Sequence, residues 1–440
     1  MEKMAMANIE QEPHQRYLSE LYKRLGGAMR LGLERTEAFM EYLEHPETSF
    51  PSIHVAGTNG KGTIVAAAAR ILECCGLKTG RFTSPHLMKF NERIRIDGEM
   101  ISDKQLDYTI NKWQAWLDSH DISFFEICTG LAFYEFRRQQ VDAAVVEVGL
   151  GGRLDSTNVL LPRVSVISQI DYDHTNILGE KLAEIAAEKA GILKRGVPAL
   201  LLSQARESQN KILEKAKEQE ASIKVVDPAD YAEIEELKPT GMRIILKEYK
   251  RSFWVNLTGR HQLGNILLAI EAVKLFLGGE KLKAEALAEA LATIYWPGRF
   301  QQLQKEPAVF YDVAHNAGGF KALLNLVKEL FPKDRPAFLI ALLRDKAAPE
   351  ILSMVKEADA DLYICGIPDS HRAMDPGELC DLGERFQVPS YPSLTDALPV
   401  LERRNNKNPL IIAGTHYIAN EIQRYWLSKW ELLDDTRHIF

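Results

Sequence analysis

The segment Gly57-Thr58-Asn59-Gly60-Lys61-Gly62-Thr63, called the phosphate loop below, has the composition of a loop that binds phosphate. Glycines allow several backbone N–H groups to point at one anion, and the N-terminus of a following helix adds its positive dipole. Lys61 supplies a point charge, and Thr63 offers a hydroxyl to Mg²⁺. The segment departs from the G-x-x-x-x-G-K-[ST] pattern because Gly62 separates the lysine from the hydroxyl residue. The loop predicts a nucleoside triphosphate ligand, and a glycine-rich turn without a ligand is the alternative.

Acidic and imidazole side chains stand within or just after two other apolar segments. Glu147 lies inside AAVVEVG, and Asp171, Asp173 and His174 follow VSVISQI. Ligands of open α/β sheets bind beyond the carboxyl ends of the strands. A buried carboxylate is costly unless it is paired or binds a metal, so Glu147 is a predicted Mg²⁺ ligand. An ion pair with a helix residue such as Arg70 is the alternative for Glu147, and a backbone-bonded loop histidine is the alternative for His174.

The elements that would carry these residues alternate between strand and helix. Apolar, β-branched runs and helical patterns alternate from Ser52 to about Ile192, which predicts βαβ units and a mostly parallel sheet. The predicted strands are SIHVAG, AAVVEVG and VSVISQI. Between Ile223 and Leu257 the segments IKVV, MRIILKEY and SFWVNL predict an antiparallel appendage. After Phe300 the runs AVFYDVA, AFLIALL, DLYICGI and PLIIAGT predict a second α/β domain.

Length and charge restrict the classes of function. A chain of 440 residues exceeds what one hydrophobic core usually serves, which predicts two domains. The net charge is −7, from 61 acidic and 54 basic residues without a basic block, so no nucleic acid partner is expected. No apolar run reaches the roughly 18 residues that span a bilayer, and the first residues do not resemble a signal peptide. We expect no membrane association, a cytoplasmic location and a monomer.

Ten motifs resemble, in consistent order, those of folylpolyglutamate synthases and bifunctional dihydrofolate synthases of the Mur ligase superfamily. They are LGLER from Leu31, AGTNGKGT, SPHLMKFNERIRIDG, FFEICTGLAF, VEVGLGGRLDSTNV, DYDHTNILG, IAAEKAGILK, GRHQLGN, PGRF and YDVAHN. The resemblance implies an α/β fold with a P-loop ATPase domain, residues 1–298, built on a mostly parallel sheet. A smaller Rossmann-like glutamate-ligase domain, residues 299–440, would follow, with ATP and substrates in the cleft between the two.

The same resemblance implies roles for individual residues. The implied nucleotide-binding residues are Thr58, Asn59, Gly60, Lys61, Gly62, Thr63, Asn265, Arg299 and Asp312. The implied ligands of two Mg²⁺ ions are Thr63, Ser84, Glu147, His174 and Lys189, and a monovalent cation is a further candidate. His315 would contact the incoming glutamate or the acyl phosphate, and Phe125, Asp155 and Ser156 would contact the pterin-side substrate. Phe125 could equally pack in the core, as aromatic residues on helices usually do.

Lys189 has a different expected role once the resemblance is taken into account. Taken alone, it resembles an exposed helix lysine beside Glu188. In the family, the lysine of the EKAGI motif is carbamylated by CO₂. A carbamate would turn a cation that repels Mg²⁺ into an anionic oxygen ligand. Together Lys61, Lys189 and His315 are the predicted catalytic residues.

The implied reaction joins L-glutamate to a folate or dihydropteroate carboxylate through an acyl phosphate made from ATP. One alternative is another Mur-type amino-acid ligase that acts on a different carboxylate. Cell-wall Mur ligases usually carry an additional N-terminal domain, and 56 residues before Gly57 are too few for it. A nucleotide-gated binding protein without ligase activity is a further alternative. Two departures from the family, Ala317 after DVAHN and the sequence Gly414-Thr415-His416-Tyr417, fall near the expected glutamate pocket.

Overall fold

A large, mostly parallel β-sheet organises the first half of the protein. The computed structural model describes residues 32–430 except 345, 368, 369, 371 and 404–406, so Leu31 of the LGLER motif lies outside it. The sheet has eight strands in the order β4-β3-β2-β5-β1-β6-β7-β8. Their bounds are β1 Ser52–Ala56, β2 Thr79–Phe82, β3 Ile94–Ile96, β4 Glu99–Met100, β5 Ala143–Glu147, β6 Val164–Ile167, β7 Ala199–Leu202 and β8 Ile223–Val226.

Strands β2, β5, β1, β6, β7 and β8 are parallel to one another. Beyond β2 the sheet continues with β3, which is antiparallel to β2, and with β4, which is antiparallel to β3. Strands β1, β5 and β6 are buried along their whole length and are mostly apolar in sequence, as expected for strands covered on both faces. The three strands predicted from SIHVAG, AAVVEVG and VSVISQI are therefore confirmed.

Ten α-helices accompany this sheet and the segment that follows it within the described residues. They are α1 Glu34–Tyr42, α2 Lys61–Cys74, α3 Asp103–Ser119, α4 Phe124–Gln139, α5 Thr175–Leu178, α6 Leu182–Ala190, α7 Arg206–Glu218, α8 Pro228–Tyr231, α9 Arg260–Phe276 and α10 Ala284–Thr293. Helix α2 is buried on nearly every side, and its run of four small alanines, residues 66–69, lets it pack closely between its neighbours. It carries the phosphate loop at its N-terminal end.

The segment between residues 223 and 257 corrects one prediction. Strand β8, the IKVV segment, does not belong to an antiparallel appendage; it pairs parallel with β7 at the edge of the large sheet. An edge strand is covered on fewer sides, and the exposed Lys224 between the partly buried Ile223 and Val225 resembles the pattern of an antiparallel hairpin. The antiparallel sheet consists of β9 Ala232–Lys238, β10 Gly241–Leu246 and β11 Arg251–Val255, with β10 and β11 paired as predicted.

A second, smaller α/β sheet occupies the C-terminal part of the chain. Its strand order is β12-β13-β17-β14-β15-β16, parallel except for β12, which is antiparallel to β13. The strands are β12 Gln301–Gln304, β13 Val309–Asp312, β14 Ala337–Ile340, β15 Asp361–Cys365, β16 Ser390–Tyr391 and β17 Leu410–Ala413. The helices are α11 Ala317–Leu330, α12 Ala348–Glu357, α13 Pro376–Phe386, α14 Leu394–Arg403 and α15 Ala419–Trp430. The predicted fold class, two α/β sheets of unequal size, is confirmed.

The chain packs as two compact units. Within the described part, the first comprises residues 32–232, 247–249 and 263–294, and the second comprises 233–246, 250–262 and 295–430. These units are defined by packing, so the assignment of separate roles to residues 1–298 and 299–440 stays a prediction. Across the described residues, every helix is too short or too polar to cross a bilayer.

Candidate active site

Four parallel strands of the large sheet carry the predicted site residues to one edge. Strands β2, β5, β1 and β6 are consecutive in the sheet, and the carboxyl ends of parallel strands meet at one edge. Ser84 follows β2, Glu147 ends β5, the phosphate loop follows β1, and His174 follows β6. The main-chain N–H of Ser84 donates to Glu147 Oε2 at 3.2 Å. The fold therefore brings together residues from four separate segments.

The glycines of the phosphate loop are required by close packing as well as by conformation. Gly57 has φ +143° and Gly60 has φ +92°, both unfavourable for residues with a Cβ. A Cβ on Gly57 would lie 1.8 Å from Ser168 Oγ, and one on Gly60 would lie 2.2 Å from Asn265 Oδ1. The side chain of Asn265 therefore packs against the loop. Helix α2 begins at Lys61, and the N–H groups of its first turn have no acceptor within the helix, as an anion site requires.

Two lysine side chains converge on the same carbonyl group of this loop. Lys61 Nζ donates to Gly57 O at 3.0 Å and to Thr58 O at 3.3 Å. Lys189 Nζ donates to Gly57 O at 2.9 Å. The side chain of Lys189 is only 5% exposed, so the interpretation of an exposed helix lysine is wrong. Burial, with the nearby charge of Lys61, lowers the pKa of Lys189 to about 7, although Asp173 and Asp155 act in the opposite direction. The neutral form of the Lys189 amine is therefore favoured relative to that of an exposed lysine.

Oxygen donors suited to a hard cation lie beside the loop. Thr63 is 0% exposed, and its hydroxyl has no hydrogen-bond partner among the described residues. Glu147 is 5% exposed, and Arg70 does not pair with it. Instead, Arg70 Nη1 is 3.2 Å from Glu73 Oε2, and Arg70 Nη2 is 3.3 Å from Glu289 Oε1. The form of this alternative in which Glu147 pairs with Arg70 is therefore wrong. A buried hydroxyl that lacks a partner and a buried carboxylate on one sheet edge fit the oxygen ligands that Mg²⁺ prefers.

No preformed cage of three His, Cys, Asp or Glu side chains exists in the part of the chain that the structure describes. The predicted ligand set contains only two such residues, Glu147 and His174. Mg²⁺ usually binds through one or two carboxylates and completes its shell with waters and substrate phosphates. The donors present therefore suit an ion that arrives with a nucleotide.

His174 lies at the start of α5 in a left-handed conformation, with φ +51°. Its main-chain N–H donates to Asp173 Oδ1 at 3.0 Å, and its Nε2 is 3.9 Å from Asp173 Oδ2. Asp171 Oδ1 likewise accepts from the N–H of Tyr172 at 2.8 Å. The two aspartates thus shape the turn that carries the imidazole. A metal-ligand role for His174 stays a prediction.

The residues assigned to the pterin-side substrate are bonded within the protein. Asp155 is 6% exposed and accepts from the N–H groups of Leu150 at 2.8 Å and Thr157 at 3.0 Å, where it caps the short 3₁₀ helix Ser156–Val159. Burial raises the pKa of Asp155, while these hydrogen bonds oppose the rise. The hydroxyls of Ser156 and Thr129 are 2.6 Å apart. A direct contact of Asp155 or Ser156 with substrate stays a prediction.

Phe125 packs against the glycine that follows the Glu147 strand. A Cβ on Gly149 would lie 2.3 Å from Phe125 Cζ, and the ring centroids of Phe125 and Phe82 are 5.9 Å apart. Phe125 is partly buried against the core of this unit, which agrees with the core-packing alternative. Stacking on a substrate ring stays a prediction.

His54 is a residue of this region that the sequence analysis did not identify. It is 0% exposed in the middle of β1, and its Nε2 is 2.8 Å from Thr157 Oγ1. Because the Thr157 hydroxyl donates to Asp155, His54 Nε2 must carry the donated proton. Burial, and to a lesser extent the charge of Lys194, lowers the pKa of His54 to about 3. The only signal in the sequence was one polar residue inside an apolar strand.

In the second unit, three predicted residues surround the carboxyl end of β13. Asp312 ends this strand and accepts from the N–H groups of Phe300 and Ala314, both at 2.8 Å. Burial raises the pKa of Asp312, and the neighbouring charge of Arg299 opposes the rise. His315 Nδ1 donates to Val313 O at 2.9 Å, so the neutral form has its lone pair on Nε2. The nucleotide and glutamate contacts of these residues stay predictions.

Comparison with known proteins agrees with this geometry. The Mur ligase middle domain matches residues 55–273, and the Mur ligase glutamate ligase domain matches residues 298–415. The chain is 33% identical to dihydrofolate synthase/folylpolyglutamate synthase of Bacillus subtilis, covering 92% of this chain and 97% of that protein. It is 31% identical to folylpolyglutamate synthase of Lacticaseibacillus casei, covering 89% and 93% respectively.

Solved structures give the same result. Folylpolyglutamate synthase of Mycobacterium tuberculosis, complexed with ADP and AMPPCP, superposes with a TM-score of 0.83 at 30% identity, covering 93% of this chain and 98% of that one. FolC of Escherichia coli, in complex with DHPP and ADP, has a TM-score of 0.83 at 26% identity, covering 95% and 99%. The chain belongs to the folylpolyglutamate synthase and dihydrofolate synthase family of Mur ligases and is an ATP-dependent ligase.

Proposed function

We propose that this protein joins L-glutamate to a folate-type carboxylate, on dihydropteroate, on a reduced folate or on both. The single observation that supports it best is that the phosphate loop, the buried Thr63 hydroxyl, Glu147 and Lys189 lie together at the carboxyl ends of the parallel strands. The named relatives act as dihydrofolate or folylpolyglutamate synthases, and one related structure holds DHPP with ADP.

The reaction has two steps. First, an oxygen of the acceptor carboxylate attacks the γ-phosphorus of ATP; the bond to the β,γ-bridging oxygen breaks, ADP leaves, and an acyl phosphate forms. The neutral amine of glutamate then attacks the acyl carbon, an amide bond forms, and inorganic phosphate leaves while the nitrogen loses a proton. Such chemistry depends on positioning and charge neutralisation more than on covalent help from the protein.

The phosphate loop would position the nucleotide through the N–H groups that begin α2. To reach a phosphate, Lys61 would exchange its bonds to the carbonyls of Gly57 and Thr58 for bonds to phosphate oxygens. Asn265 lies against the same loop. Mg²⁺, proposed as two ions, would neutralise phosphate charge, and the proposed ligands are Thr63, Ser84, Glu147, His174 and carbamylated Lys189.

The environment of Lys189 suits carbamylation. A neutral lysine amine attacks CO₂; an N–C bond forms, one C=O π bond breaks with its electron pair moving to oxygen, and a proton leaves. Burial near another cation favours the neutral amine that this step needs. The resulting anion would also offset the charge of Lys61 a few ångströms away, because both side chains contact Gly57 O.

The remaining assignments rest on the resemblance. We propose that residues 299–440 supply Arg299 and Asp312 to the nucleotide and His315 to the glutamate or the acyl phosphate. Phe125, Asp155 and Ser156 are proposed for the pterin side, where the bonded Asp155 and Ser156 would also hold the main chain in place. A monomer working in the cytoplasm is proposed on the sequence alone.

An assay of ADP release tests the proposal. The purified protein, given ATP and Mg²⁺, should release ADP only when glutamate and a pteroate or folate acceptor are both present. Dihydropteroate and tetrahydrofolate are supplied in parallel, and mass spectrometry should show one added glutamyl group on the accepted substrate. ADP release that is indifferent to glutamate would contradict ligation, and activity with neither acceptor would favour a ligase for a different carboxylate.

A further inference from the structure

The chain segment that follows β6 contacts the phosphate loop at successive residues. Ser168 Oγ donates to the carbonyl of Asn59 at 2.7 Å. The carbonyl of Gln169 accepts from the N–H groups of Thr58 at 2.8 Å and Asn59 at 3.3 Å. The two segments are 109 residues apart in sequence, so these bonds are tertiary contacts.

The hydroxyl of Thr58 takes part in the same set of bonds. Its Oγ1 donates to the carbonyl of Asp171 at 3.1 Å and accepts from the N–H of Asp171 at 3.0 Å. A threonine hydroxyl has one proton to donate. While that proton is bonded to Asp171, the Thr58 side chain cannot donate to a phosphate, which distinguishes it from Thr63, whose hydroxyl has no partner within the described residues.

Ser168 also fits the backbone of the loop sterically. It is 0% exposed, and its N–H donates to Ala56 O at 2.9 Å, which continues the pairing of β6 with β1. Its side chain occupies the space that Gly57 leaves by lacking a Cβ. Ser168 is therefore held by the sheet on one side and holds the loop on the other.

We propose that Ser168 is a positioning residue which, together with the Thr58–Asp171 bonds, holds the phosphate loop in its binding conformation before nucleotide arrives. The proposal rests on the proposed use of ATP at this loop. A loop ordered in advance binds more tightly because ordering it costs nothing at the moment of binding. The same bonds join the loop to the turn that carries Asp173 and His174, so one tertiary contact positions both sides of the site.

Binding of ADP in Mg²⁺ buffer, measured by calorimetry without acceptor or glutamate, tests this role. Ser168→Ala should raise the Kd for ADP about tenfold, the effect of one lost hydrogen bond. The matched control is Ser165→Ala: Ser165 lies on β6, three residues before Ser168, is also 0% exposed, and donates to Ile192 O at 3.2 Å. Both variants should lower Tm by similar amounts, but Ser165→Ala should leave the Kd within about twofold of the unmodified protein.

Variants at Thr58 test the other half of the contact and remain informative if Ser168→Ala does not fold. Thr58→Val removes both bonds to Asp171 and should raise the Kd about tenfold, while Thr58→Ser keeps them and should restore it. In the double variant Ser168→Ala/Thr58→Val, the increase in the Kd for ADP should be well below the product of the two single increases, because both changes loosen the same loop. Unchanged ADP affinity in the folded Ser168→Ala and Thr58→Val proteins would overturn the inference alone. Failure of the unmodified protein to bind ADP would overturn the proposed function as well.

Discussion

Within the phosphate loop, Thr63 is the residue whose replacement by valine should most clearly stabilise the protein while it lowers turnover. Its hydroxyl is fully buried without a partner in the described structure, a state that costs roughly 1–3 kcal/mol. Thr63→Val replaces the hydroxyl with a methyl group of similar size and removes that cost. We expect the free energy of unfolding of the nucleotide-free protein to rise by about 1–2 kcal/mol. Turnover should fall on the order of 10²-fold, because a proposed ligand of Mg²⁺ is lost.

Thr36 on α1 provides the matched control. It is also 0% exposed with a partnerless hydroxyl in the described structure, and it lies on α1 and not in the phosphate loop. Thr36→Val should stabilise the protein to a similar extent and leave turnover unchanged. Urea unfolding of the nucleotide-free proteins and steady-state ADP release measure the two quantities. A Thr63→Val protein that is less stable than the unmodified one, or that keeps full activity, would refute the reasoning.

Three further predictions concern Lys61, Lys189 and His54. Lys61→Ala should lower the rate of ADP release by about 10²–10³-fold, the range for one lost transition-state donor, and a loss below about tenfold would argue against phosphate contact. Lys189→Ala should impair turnover, and added short carboxylates should restore part of it; an unimpaired variant would remove the carbamate from the mechanism. For His54, the folded pKa of about 3 lies below the unfolded value near 6.5, so the unfolded state binds the extra proton and stability falls as pH drops through this window. Between pH 6.5 and 5 the unmodified protein should lose about 2 kcal/mol of unfolding free energy that a His54→Asn variant keeps. Urea unfolding of both proteins at the two pH values measures this, and an equal loss in the two proteins would contradict it.

Much of the architecture could be predicted from local patterns. The buried strands β1, β5 and β6 have mostly apolar sequences, which is typical of strands whose two faces are both covered. Strand β8 was assigned wrongly because an edge strand of a parallel sheet alternates like a hairpin. Strand β9, AEIEELK, was not predicted because its glutamates hide the strand pattern.

The sequence by itself determined the phosphate loop, the strand that carries Glu147 and the family to which they belong, because these depend on residue types at short spacing. The tertiary structure alone decided which residues share an environment. The buried Lys189 Nζ donates to the carbonyl of Gly57, 132 residues earlier, and Arg70 Nη2 donates to Glu289 Oε1, 219 residues later. The side chains of Ser168 and His54 likewise form hydrogen bonds with residues more than 100 positions away. Burial, and with it the pKa of a side chain, is set by what packs around the group, and no local sequence pattern contains that information.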